Sequence, residues 1–151
     1  MSYIHADGVE YSDDKKTLLR CPKEATEITI LDSVTSIEEW AFSYCSGLTS
    51  IVIPDSVTSI GEDAFFHCSG LTSIVIPDSV TSIGEDAFRG CSGLTSIVIP
   101  DSVTSIGKWV FKGCSRLKEI RIPKGTRDKF CAMPGLKKYE NLLVEYKKEE
   151  K

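Results

Sequence analysis

The sequence predicts an α/β solenoid, in which 23-residue coils stack into a curved parallel sheet with short helical turns on the other side. The main observation is a near-exact repeat: residues 51–73 and 74–96 differ only where Phe66-His67 is replaced by Arg89-Gly90. Phenylalanine, cysteine and leucine recur at the same interval of 23, at positions 42, 65, 88 and 111, at 45, 68, 91 and 114, and at 48, 71, 94 and 117. A unit this short cannot bury its apolar side chains alone, so adjacent units must stack.

The N-terminal segment, residues 1–25, predicts a β-hairpin that caps the solenoid. Val9-Glu10-Tyr11 and Thr17-Leu18-Leu19 are extended in pattern and flank the polar turn residues 12–16. A solenoid must cover the open end of its core, which is the role expected for this hairpin.

The repeat segment, residues 26–123, contains one partial and four clear repeats. Within one repeat, residues 48–53 alternate as a half-buried strand does, and Pro54-Asp55-Ser56 ends that strand with turn chemistry. Residues 57–60 form a second short extended piece. Residues 61–71 carry apolar side chains at spacings of three and four, which predicts a helical turn.

The C-terminal segment, residues 124–151, predicts a helical cap followed by a polar tail. A first helix is expected from Arg127 to Met133, and a second helical stretch follows Pro134-Gly135. All three segments are expected to form one structural domain.

Composition excludes several classes of protein. The chain has 151 residues and a net charge of −4, which disfavours nucleic acid as a partner. No apolar run is long enough for a transmembrane helix, so membrane insertion is not expected. The first residues lack the pattern of a secretory signal, so a cytoplasmic location stays open.

The repeat consensus I-x-I-P-D-S-V-T-S-I-G-x-x-A-F-x-x-C-S-x-L resembles the BspA-like, or Treponema-type, leucine-rich repeat over residues 26–123. The flanking hairpin and helical cap are similar to that family as well. The resemblance implies a leucine-rich repeat solenoid of bacterial cell-surface or secreted type. It also implies adhesion or another protein–protein interaction rather than enzymatic activity.

The residues themselves indicate no catalytic site, no cofactor and no metal centre. Catalysis needs unlike groups that converge on one point, whereas identical coils present the same group many times. The acidic pairs Glu62-Asp63 and Glu85-Asp86 recur at the start of each helical turn, as expected for interaction with the helix dipole. The cysteine column is expected to consist of buried free thiols, because it lacks C-x-x-C pairs and converging histidines.

One candidate interaction surface is the outward face of the main sheet. Its residues follow the repeat interval and are small, β-branched or, at the C-terminal end, charged: Thr29, Ser50, Val52, Ser73, Val75, Ser96, Val98, Glu119 and Arg121. Such a flat, partly apolar stripe indicates protein binding. Strand propensity alone is the competing explanation for the β-branched residues.

A second candidate surface follows the repeat phenylalanine, where the near-identical coils differ most. It consists of Tyr44, Phe66, His67 and Arg89. Loop variation without function is the competing explanation.

Charge is divided unevenly along the chain. Residues 1–106 contain 5 basic and 16 acidic residues, whereas residues 107–151 contain 13 basic and 6 acidic residues. An elongated molecule of this kind is expected to be a monomer or to associate weakly head to tail in a salt-sensitive way.

Three functions therefore stay open. The favoured one is a non-catalytic module that binds a host extracellular or neighbouring-cell surface protein. The alternatives are a cytosolic protein–protein scaffold and, more distantly, an accessory glycan-active enzyme.

Overall fold

The computed structural model describes residues 2–147, so all but the first residue of the tail predicted at residues 147–151 lies outside the described residues. Within that range the chain winds into a solenoid, and the predicted fold class is confirmed. Each coil contributes two short parallel strands and one segment of tight turns. The described strands, in chain order, are β1 (Ser2–Ile4), β2 (Glu10–Ser12), β3 (Thr17–Arg20), β4 (Glu27–Thr29), β5 (Ser36–Ile37), β6 (Ser50–Val52), β7 (Ser59–Ile60), β8 (Ser73–Val75), β9 (Ser82–Ile83), β10 (Ser96–Val98), β11 (Ser105–Ile106), β12 (Glu119–Pro123) and β13 (Leu143–Tyr146).

The longest sheet runs through the molecule in the order β1-β2-β3-β5-β7-β9-β11. Strands β1, β2 and β3 are antiparallel and form the N-terminal cap, while β3 and β5 to β11 pair in parallel. The hairpin strand β3 therefore already takes a place in the parallel ladder. This continuity joins the cap to the coils through backbone hydrogen bonds.

The second side of the solenoid carries the strands predicted to form the main sheet. They are divided into a pair, β4-β6, and a four-stranded sheet in the order β13-β12-β10-β8. Equivalent residues of successive coils lie opposite each other, as Ile97 does with Ile74 and Ile120. The C-terminal strand β13 extends this sheet by one more parallel strand.

The predicted helical turns are single turns rather than segments of α-helix. The N–H groups of Ala64, Phe66 and Cys68 each donate to the carbonyl three residues earlier, at 3.3, 3.1 and 3.1 Å. Asp63 and His67, which lie between them, have positive φ values of 55° and 58°, which breaks a regular right-handed helix. The alternate N–H groups are then free to bond the next coil, as that of Phe65 does with the carbonyl of Ala87 at 2.8 Å.

The core consists of columns that run along the solenoid axis. The repeat phenylalanines are at most 1% exposed and stack face to face, with centroids of successive rings 4.8, 5.2 and 6.1 Å apart. Beside them, the thiol of Cys68 donates to the carbonyl of Phe42 at 3.0 Å, and that of Cys91 donates to the carbonyl of Phe65 at 3.1 Å. Each coil is thus held to its neighbour by ring stacking and by backbone and thiol hydrogen bonds.

The C-terminal cap closes the other end of the core. It contains one short helix, α1 (Arg127–Cys131), and a 3₁₀ helix (Lys137–Leu142). Phe130 and Leu136 are fully buried, and the ring of Tyr139 meets that of Phe111 edge to face at 5.7 Å. The predicted helical cap is confirmed, although its helices are shorter than expected.

Candidate functional site

The register of the strands brings the residues of the first candidate surface, the outward face of the main sheet, into two rows. Thr29 pairs with Val52, Val75 pairs with Val98, and Val98 pairs with Arg121, which makes the first row. The second row contains the predicted residues Ser50, Ser73, Ser96 and Glu119, and Glu27 precedes Ser50 in it. Side chains of alternate residues on a strand point to the same face, so both rows lie on the outward surface.

Exposure along the first row is uneven, and this corrects one expectation. Val52 and Val75 are 55% and 58% exposed, whereas Val98 is only 8% exposed and is not available to a partner. Val98 lies beside Arg121, whose guanidinium is 5.6 Å from the ring of Tyr146. The long aliphatic part of an arginine covers apolar neighbours well, which accounts for the burial of a valine in this position. The accessible apolar stripe is therefore confined to Val52 and Val75.

Two shallow depressions, of about 460 and 490 Å³, follow this stripe. Val52 lines both of them, and carboxylates from the turn after each strand form one edge: Asp32, Asp55 and Asp78. The next carboxylate in that series, Asp101, accepts a hydrogen bond from the amine of Lys129 at 2.8 Å. The edge of the groove thus carries the carboxylates of Asp32 and Asp55 beside the exposed valines, and the carboxylate of Asp101 farther along is neutralised by Lys129.

Three of the four residues of the second predicted surface lie in contact. The ring of Tyr44 stacks on His67 at 5.3 Å and meets Phe66 edge to face at 5.4 Å, while Phe66 and His67 lie 4.4 Å apart. The fourth residue, Arg89, is not part of this ring cluster. Its guanidinium pairs instead with the carboxylate of Asp86 at 3.2 Å on its own coil.

Trp40 joins the aromatic cluster, although the sequence analysis did not include it. Its ring is 48% exposed and meets Phe66 at 5.3 Å. Together with Tyr44, Arg20 and Lys23 it lines a cavity of about 410 Å³ against the N-terminal cap. The available signal was the repeat itself, because Trp40 precedes Asp63 and Asp86 by one and two intervals of 23.

Two titratable side chains of the coils, Cys68 and Asp63, have pKa values that are shifted by burial. Burial raises the pKa of the Cys68 thiol, which keeps it protonated and unreactive. Burial also raises the pKa of Asp63, and the neighbouring carboxylates of Asp86 and Glu62 raise it further. Among residues 2–147 no cluster of three or more metal-ligating side chains is found, and no helix has the length and hydrophobicity needed to cross a membrane.

Comparison with solved structures gives several bacterial leucine-rich repeat proteins. A leucine-rich repeat protein from Eubacterium ventriosum is 30% identical with a TM-score of 0.76, over 82% of this chain and 34% of its own length. A leucine-rich cell surface protein from Faecalibacterium prausnitzii is 33% identical with a TM-score of 0.61, over 89% of this chain and 40% of its own. The pneumococcal vaccine antigen PcpA, at 23% identity and a TM-score of 0.65, shares the fold over 97% of this chain and 46% of its own.

The chain thus spans about a third to a half of the length of these structures. No curated protein matches the sequence. Residues 15–129 match the family described as BspA type leucine-rich repeat region, in six copies. The match begins within the N-terminal hairpin, whose strand β3 pairs in parallel with β5 of the first coil. With its consensus, its coil geometry and this match in agreement, the chain belongs to the BspA-type leucine-rich repeat family.

Proposed function

We propose that this protein is a non-catalytic interaction module that binds a protein partner on the face centred on Val52 and Val75. The observation that carries the proposal is the pairing of two exposed valines on successive coils with an acidic edge. Burying a valine fully contributes about 1.5–3 kcal/mol, and each of these side chains retains more than half of that surface for a partner. Asp32 and Asp55 would attract basic side chains to the same groove.

The partner that fits this groove is a polypeptide segment that carries apolar and basic side chains on the same face. Val52 and Val75 occupy equivalent positions of successive coils, so the two valines can take two apolar side chains of one segment. Basic side chains that flank the apolar ones would then lie beside the carboxylates at the edge. Repetition of like groups favours an extended contact of this kind over a reaction centre.

A host extracellular protein or a protein of a neighbouring cell surface is the proposed source of the segment. The proposal of a surface location draws on the relative from Faecalibacterium prausnitzii, which is described as a cell surface protein and is 33% identical. Adhesion would be the biological consequence of such binding.

A random-peptide display library selected on the full chain tests the groove. We expect enriched peptides that combine apolar and basic residues. We also expect Val52→Asp combined with Val75→Asp to weaken their binding at least ~10-fold, because the change removes the apolar contacts and places charged carboxylates against the apolar side chains of the peptide. A matched control, Ser46→Asp with Ser69→Asp, places the same charges on exposed turn residues and should leave binding unchanged. Equal binding by the valine variant, with its circular dichroism intact, would refute the proposal.

A second candidate, a cytosolic scaffold that uses the same face, is favoured by one observation. All six cysteines are free thiols, which is more typical of a reducing compartment than of an oxidising one. Digestion of intact producing cells with a protease distinguishes the two locations. Removal of the protein from unbroken cells supports the surface, whereas protection until lysis supports the scaffold.

Weak head-to-tail association is the proposed self-interaction. Residues 1–106 carry a net charge of −11, so the basic C-terminal part of one copy can attract the acidic coils of another. Sedimentation at about 20 and 500 mM salt tests this, because a screened ion-pair contact should weaken at the higher concentration. A monomer at both concentrations, at high protein concentration, would exclude it.

A further inference from the structure

The last coil departs from the repeat at several positions, and three of these changes create a basic aromatic pocket. Where the preceding coil has Glu85-Asp86, this coil has Lys108-Trp109, and Arg89 is replaced by Lys112. Two acidic residues are thus exchanged for a cation and an indole. The exchange lies at the junction with the C-terminal cap, where a cavity of about 270 Å³ opens.

Trp109 presents an exposed aromatic surface beside the cavity. Its φ of 58° is in the left-handed region, as are the φ values of Trp40, Asp63 and Asp86 at the same position of the preceding coils. The conformation therefore belongs to the repeat and is shared by all four coils. The indole is 49% exposed, so nearly half of its surface is open to a ligand.

The other side chains around the cavity supply positive charge and a second aromatic wall. It is lined by Lys108, Trp109, Lys112, Pro134, Gly135, Lys138 and Tyr139. None of the three lysine amines forms an ion pair with a carboxylate among residues 2–147. The carboxylate of Asp86, on the preceding coil, is paired with Arg89 at 3.2 Å. The three amines are therefore available to an anionic ligand.

The walls of the cavity are held in place before any ligand binds. The ring of Tyr139 packs edge to face against Phe111 at 5.7 Å. The loop at Gly135 lies so close to the last coil that a Cβ there would come within 2.5 Å of the carbonyl oxygen of Gly107. A site with fixed walls loses little conformational entropy on binding, which favours a small ligand.

From these features we infer that the pocket binds a single acidic sugar residue through stacking on Trp109 and ion pairing with the lysines. The polar side-chain groups here are donors, namely three ammonium groups and the indole N–H, with the Tyr139 hydroxyl able to donate as well. They can donate to the carboxylate, ring and hydroxyl oxygens of an acidic sugar. A pyranose ring presents C–H groups that can pack on the exposed indole face, and its carboxylate can pair with an amine.

The charge of the remaining coils limits the ligand to one acidic residue. Glu85, Glu62 and Glu39 continue the Lys108 column toward the N-terminus, and all three are exposed. A polyanion lying along the solenoid would meet these carboxylates and be repelled. This site is separate from the face centred on Val52 and Val75, so it does not depend on the function proposed above.

Titration of the ¹⁵N-labelled full chain with D-glucuronic acid and with D-glucose tests the inference, because the two sugars differ only in the carboxylate. The chain has two tryptophans, so Trp40→Asp and Trp109→Asp each assign one indole N–H resonance. We expect glucuronate to shift the Trp109 resonance to saturation, with a Kd on the order of 1–10 mM. Glucose should bind at least ~10-fold more weakly, and about 500 mM NaCl should weaken glucuronate binding.

Variants that restore the repeat consensus provide matched controls, with binding measured by saturation transfer on the ligand. Trp109→Asp and Lys108→Glu should each weaken glucuronate binding at least ~5-fold, because they remove the stacking surface or an amine. Trp40→Asp changes the same backbone position at the far end of the column and should have no effect. Equal shifts with both sugars, no binding at all, or undiminished binding by Trp109→Asp would overturn the inference. Tighter binding of AMP or of N-acetylglutamate amide would overturn it in favour of a nucleotide or an acidic peptide.

Discussion

Phe65 is one of the two inner rings of the stacked phenylalanine column, and its removal tests whether that column holds the coils together. The side chain is fully buried between Phe42, at 4.8 Å and 5° between ring planes, and Phe88, at 5.2 Å and 8°. Phe65→Ala removes both stacking contacts and leaves a cavity inside a coil that is bonded to its neighbours on both sides.

Truncation of a buried phenylalanine costs about 3–5 kcal/mol, and each aromatic pair contributes about 0.5–1.5 kcal/mol beyond its buried area. Because two such pairs are lost here, we expect a cost near the upper limit, at about 4–5 kcal/mol. This is a large share of the stability of a domain of this size, which is typically about 5–15 kcal/mol. Phe42→Ala should cost less, since among residues 2–147 the ring of Phe42 meets one other aromatic ring, that of Phe65.

Urea unfolding measures the effect, with circular dichroism for the whole chain and indole fluorescence for its two ends. Trp40 and Trp109 lie in the first and last coils, so Trp40→Phe and Trp109→Phe leave one reporter each. Both reporters should follow one transition in the parent chain and separate transitions after Phe65→Ala, because coils contact only their neighbours. A cost below about 1.5 kcal/mol, comparable to that of the exposed control Val52→Ala, would show that the column is not the main source of cohesion.

Two further predictions follow from the titratable groups. The fold raises the pKa of Asp63, so the charged carboxylate destabilises the native state, and stability is lost as the pH rises through that pKa. Asp63→Asn should therefore melt at a higher temperature than the parent near neutral pH, with the difference vanishing below pH about 3; a lower melting temperature near neutral pH would contradict this. Iodoacetamide labelling followed by mass spectrometry should modify half-buried Cys131 in the native protein but modify fully buried Cys68 only after unfolding. Equal labelling rates for the two thiols would mean that the coils open readily.

Much of the fold could be predicted from the sequence because the same pattern of buried side chains recurs in each repeat. The apolar positions that recur at intervals of 23, such as Phe65 and Leu71, are the ones that the structure buries completely. The turn residues after each strand and the short extended piece at Ser59–Ile60 also follow from local chemistry. One sequence interval therefore determines both the core and the register.

The turn segment was harder to predict because its backbone is set by contacts between coils. Spacings of three and four residues suit a helix, and they also suit a series of single turns in which Asp63 and His67 have positive φ. Hydrogen bonds from alternate N–H groups to the next coil stabilise the second arrangement, and no local pattern contains that information.

The sequence predicts which residues form the outward face of the main sheet, but it does not predict which of them are accessible to a partner. Val52, Val75 and Val98 are equivalent in the repeat, yet only the first two are exposed. The difference arises in the last coil, where Arg121 replaces the next valine, and in β13, which adds a strand beyond it. Such differences at the end of the solenoid depend on contacts with the cap, so the repeat pattern does not predict them.

Residues 51–73 and 74–96 adopt matching strands and bury matching side chains, so the two segments are structurally interchangeable. Excision of residues 74–96 would join Ser73 to Ile97, which recreates the Ser73–Ile74 junction already present. A whole coil can therefore be removed or added without producing a junction that is absent from the present fold. The two ends lack this freedom, because each is fitted to the one coil that it covers.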